Sequence, residues 1–69
     1  MHMSKIEALS KAQTTAVEGI ASRLGINPAK LLDWVKCGGI SFSDLSWRAY
    51  GDRDERTRLA NEFLSAQAA

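Results

Sequence analysis

The sequence predicts an all-α domain of four short helices, and three observations carry that expectation. Apolar residues recur at steps of three and four, with no stretch of strict alternation. A Ser, Asn or Asp suited to capping precedes the periodic stretches. Glycines at 25, 38, 39 and 51 punctuate them.

The first stretch covers residues 4–24. Ile6, Leu9, Gln13, Val17, Ile20 and Leu24 share one helical face, and Ala8, Ala12, Ala16 and Ala21 add propensity. One long helix is expected here, bent near Ser10. Ser10 with Gln13 three residues later is also a capping-box pattern, which would start a helix afresh at that point. Gly25 follows the last periodic residue and suits the left-handed position that closes a helix.

A sharp turn, Leu24-Gly25-Ile26-Asn27, leads into the second helix. Asn27 caps it, and Pro28 takes the first position, where a missing N–H costs nothing. It runs to Lys36 or Cys37, with Leu31, Trp34 and Val35 on one side and Leu32 beside them, until Gly38-Gly39 stops it.

The third helix spans Ile40 to Tyr50, capped by Ser41 or Ser43. With Ser43 as the cap, Phe42 and Trp47 occupy the two positions of a hydrophobic staple. Gly51 closes this helix. Asp52 caps the fourth, Glu55 completes an acidic capping box, and Asp54 joins them at the positive end of the helix dipole. Leu59, Ala60, Phe63 and Leu64 form its expected core face, and residues 65–69 are expected to fray.

Residues 1–3, Met-His-Met, read as an expression remnant ahead of a start at Met3, which leaves residues 4–69 as a single domain. A chain this small buries only roughly 60% of its unfolded surface. Cys37 is its single cysteine, so no internal disulfide can staple it, and a homodimer is one expected remedy. A lone cysteine with no signal-peptide pattern fits a cytoplasmic setting. No apolar run approaches the roughly 18 residues of a membrane span. Nine basic against eight acidic residues, mixed along the chain, create no large field for nucleic acid or membrane.

Catalysis is not expected. The only histidine, His2, lies in the remnant, so no Ser–His or Cys–His pair can activate a nucleophile. Asp52, Asp54 and Glu55 read as capping residues, and Cys37 as a small packed residue at a helix C-terminus, where the negative end of the dipole does not favour a reactive thiolate. Gly38 and Gly39 follow a helix instead of opening one, so they do not form a phosphate loop. No metal and no cofactor is expected.

Counting Val17 as the first of a twenty-residue window, Ile20 and Ala21 fall at the buried fourth and small fifth positions. Leu24, Gly25 and Ile26 form the turn, and Leu31 and Trp34 are the buried fifteenth and eighteenth. Residues 17–41, with IASRLGINPAKLLDW followed by VKCGGIS, resemble the helix-turn-helix family of DNA-binding proteins, most of all its excisionase and MerR-type branch. The resemblance implies that the second helix enters the major groove of double-stranded DNA. Asn27, Pro28, Ala29, Leu32, Asp33 and Lys36 would then face the bases, and Arg23, Lys30, Lys36 and Lys11 the phosphates.

Residues 10–46 are also similar to the helical C-terminal domain of phage single-strand annealing recombinases, through Ser10-Lys11-x-Gln13, LGIN, KLLDWV and GGISFSDLS. That resemblance implies recruitment of partner proteins. Five large rings, Trp34, Phe42, Trp47, Tyr50 and Phe63, are many for so small a core. An exposed Trp47 or Tyr50, flanked by Arg48 and Arg53, would suit a protein interface. The run from Arg53 to Arg58 reads as a solvated helix face with local ion pairs.

Two functions follow as expectations. The first is a DNA-binding module for regulation or recombination in a phage or mobile element, through Arg23, Asn27, Lys30, Asp33 and Lys36. The second is an adaptor or inhibitor that binds a protein through Leu32, Trp47, Arg48, Tyr50 and Arg53.

Overall fold

A computed structural model describes residues 9–68. Four α-helices make the fold: α1 Lys11–Leu24, α2 Pro28–Lys36, α3 Phe42–Ala49 and α4 Arg53–Ala68. The described residues contain no strand.

The capping box decides where α1 begins. Ser10 Oγ accepts from the Gln13 amide at 3.1 Å, and Gln13 Oε1 accepts from the Ser10 amide at 2.9 Å. Extended backbone at Ser10 then ends the helix on its N-terminal side. The single long helix is therefore corrected to one that starts at Lys11. Ile6 and the rest of residues 4–8 lie outside the described residues, whereas Leu9 packs against the core.

Both α1 and α2 end in the same way. Gly25, at φ 72°, lets the Ile26 amide donate back to Ala21 O and its own amide to Ser22 O. Gly38, at φ 85°, does so for Gly39 onto Trp34 O and for itself onto Val35 O. These paired bonds satisfy last-turn carbonyls that a helix end leaves orphaned. Between them Asn27 caps α2, its Oδ1 accepting from the Lys30 amide at 3.1 Å.

The core draws on all four helices. Val17, Ile20 and Ala21 meet Leu31 and Val35, with Leu45, Ala49, Leu59 and Phe63 closing the other side and Ile40 sealing the α2–α3 turn. Within α2, α3 and α4 the buried pairs are spaced i, i+4, which places each pair on one face. No polar or charged residue among those described is buried. Trp34 departs from its expected burial. It is half-buried, with its ring edge-on to Phe63 at a centroid distance of 5.6 Å, and it packs against the core from outside.

Helix α4 differs from expectation in three ways. Asp52 Oδ1 caps it by accepting from the Glu55 amide at 2.9 Å, but the Glu55 carboxylate turns to Arg48 instead of completing the box. The core face is narrower than the pattern suggested: Leu59 and Phe63 are buried, Ala60 is intermediate and Leu64 is exposed. The helix also continues through residues 65–68, where fraying was expected.

Candidate interaction surface

The register of α3 creates the most unusual surface of the molecule. Ser41 is its cap, accepting from the Asp44 amide at 3.1 Å, so the Ser43 alternative is not realised. The staple positions then fall to Ile40 and Leu45, both buried, in place of Phe42 and Trp47. Leu45 and Ala49 face inward at i, i+4. Trp47, two residues from each, is carried to the opposite side. It is 83% exposed, and Tyr50, at the end of the helix, is 62% exposed. Phe42, Trp47 and Tyr50 line an open groove of about 900 Å³, with Asp44, Arg48 and Glu55 as its charged members.

Arg48 is a tie between helices and is not a free cation in this patch. Its two Nη groups donate to the two carboxylate oxygens of Glu62 at 2.8 Å each, and its Nε donates to Glu55. This forked geometry joins α3 to α4. The hydrogen bonds to Glu62 and then Glu55 make the Arg48 proton still harder to lose. The hydrogen bond from Arg48 in turn holds the Glu62 carboxyl below its ordinary value of 4.5. Glu55 also meets Arg58 at 3.4 Å, one local ion pair of the kind expected on the α4 face.

The other interface candidates divide. Arg53 is exposed beside the α3–α4 turn. Leu32 is half-buried and packs on the core from α2, so it is not part of the aromatic groove.

The DNA candidates are only partly available. Asn27, Pro28, Ala29, Asp33 and Lys36 are exposed on α2, as is Lys30. Asn27 has committed its side-chain oxygen to capping. Arg23 donates from Nε to Ala49 O at 3.1 Å, and its guanidinium lies 5.0 Å from the centre of the Tyr50 ring. Lys11 is exposed at the first turn of α1, at the other end of that helix. Exposed Asp33 sets a negative charge among the lysines of α2.

Cys37 is exposed, which corrects the expectation of a packed thiol. Two side-chain contacts that hold this surface were not read from sequence. Glu62 lies fourteen residues from Arg48, a separation that belongs to no local pattern. Arg56 donates from Nη1 to Gly51 O at 3.0 Å, and Arg23 and Arg56 thus both hold the carbonyls of the α3–α4 turn. No family model matches this chain, and no curated protein or solved structure is significantly similar to it. No described helix is long and apolar enough to cross a membrane.

Proposed function

We propose that the chain is a non-enzymatic protein-interaction module, acting as an adaptor or inhibitor, whose contact surface is the aromatic groove of α3. The observation that carries this reading is the exposure of Trp47, at 83%, on a capped helix beside Tyr50. Leaving so large an apolar ring in water forgoes the roughly 1.5–3 kcal/mol that burial of a large apolar side chain contributes. Trp and Tyr are also the residues most enriched among interface anchors. Arg48 serves the patch by pinning its base to α4.

Capture from lysate on immobilised protein tests the reading, with wild type, Trp47→Ala and a Lys30→Ala, Lys36→Ala double variant compared after nuclease treatment. The expected partner is retained by wild type and by the lysine variant and lost with Trp47→Ala. Identical capture by all three proteins would sink the proposal.

DNA binding is a second reading, supported by the formed α1–Gly25–α2 turn and by the exposure of Lys30 and Lys36. It requires duplex binding that weakens steeply with salt and fails in the lysine double variant. Binding that is absent at low salt removes this reading.

A further inference from the structure

A second concave site lies between the C-terminal end of α1 and the outer face of α4. It is a small open cleft of about 240 Å³, lined among others by Arg23, Arg56, Thr57 and Asn61. No carboxylate lines it. Among the described residues, the ion pairs involve Arg48 and Arg58, and neither Arg23 nor Arg56 has an acidic partner.

Both guanidinium groups are anchored in advance. Arg23 uses Nε on Ala49 O, and Arg56 uses Nη1 on Gly51 O. A guanidinium has five N–H donors in a fixed plane, so each group keeps a fork of two nitrogens uncommitted. For Arg23 the fork is the Nη1–Nη2 end, and for Arg56 it is the Nε–Nη2 edge. The Tyr50 ring, 5.0 Å from the Arg23 guanidinium, covers one face of that group and leaves its edges for in-plane bonds. Thr57 and Asn61 stand one turn apart on α4 and add a hydroxyl and an amide.

We propose that this cleft binds the terminal phosphoryl group of a phosphate monoester. Two forks with a net charge of two match a doubly charged oxyanion with three exposed oxygens, and bidentate Arg contacts are the strong form of that recognition. The small volume suits one terminal group and not a running phosphodiester chain. The monoester can come from a small molecule or from a phosphorylated side chain, since both present the same group.

The test is a titration of the full chain with inorganic phosphate at constant ionic strength balanced by chloride, followed by NMR. Parallel arms use a nucleoside monophosphate, a short phosphoserine peptide, and an oligonucleotide without terminal phosphates. The expected result is saturable shifts clustered at Arg23, Arg56, Thr57 and Asn61. Binding should weaken about tenfold or more in Arg56→Gln and about threefold in Thr57→Ala, the loss of a charged and a neutral hydrogen bond respectively. Thr57→Ala sits at an exposed helical position and keeps the fold, so the comparison stands if Arg56→Gln unfolds. The stronger of the mononucleotide and phosphopeptide arms identifies the source of the group. Shifts that do not saturate, shifts spread over the surface, unchanged binding in Thr57→Ala, or preference for the oligonucleotide would each overturn the proposal.

Discussion

Single residues set the limits of this small domain. Gly39 is the clearest case, because a Cβ built there runs into the indole of Trp34. Trp34 has little room to yield, since it leans on Phe63 and covers the core. Gly39→Ala should therefore lower stability by about 1–3 kcal/mol, the usual cost of forcing extra atoms into a packed site. A urea midpoint within error of wild type would contradict this. The sequence placed Gly39 only as a helix stop. Its second role depends on the side-chain conformation that lays the Trp34 indole against it, and the spacing that brings the two residues together at the helix end does not show that conformation. Trp47 shows the same limit from the other side. Its neighbours mark α3 as amphipathic, but two serines competed to cap that helix, and the choice between them decides which rings are buried.

That choice can be tested at the scale of the element. Ser41 accepts the Asp44 amide and Ser43 is exposed. Ser41→Ala should cost about 1 kcal/mol, the typical worth of an N-cap. Ser43→Ala should change stability by much less, so equal losses in a thermal scan would reassign the cap and the register with it. The Arg48 tie between α3 and α4 gives a pH dependence. Glu62 has a folded-state pKa below its ordinary 4.5. Its contribution is thus present above 4.5 and is lost as pH falls through the lower folded value, because the native state must then take up a proton that its ion pair resists. Glu62→Gln should shrink the acid-side fall in stability below pH 4.5 and leave the neutral-to-alkaline limb parallel to wild type. An unchanged acid limb would show that the pair is not coupled to folding. Most local signals were legible beforehand: the Ser10–Gln13 box, Gly25, Asn27-Pro28, Gly38 and Asp52 all act where their chemistry predicts. The destination of the Glu55 and Arg48 side chains was not, because it depends on how α3 lies against α4.

At the scale of the whole molecule, four helices close a core within one chain of principal extents 39 × 28 × 18 Å. The fold class and the helix order were readable from periodicity and glycine punctuation. The balance between the two functional surfaces was not, since it turns on exposure. The Gly25 turn between α1 and α2 is formed, yet Asn27 is drawn into capping and Arg23 onto the last carbonyl of α3. The aromatic groove stays open, with Tyr50 shared between it and the Arg23 guanidinium. In the proposed interface Trp47, solvent-exposed in the free protein, becomes the buried anchor of the complex. Acrylamide quenching of Trp34→Phe protein, whose single tryptophan is Trp47, tests it most directly when measured alone and with the captured partner. Easily quenched, red-shifted emission that turns blue and quencher-resistant on binding is the predicted result. Emission already shielded in the free protein, or unaltered when the partner binds, would contradict the account.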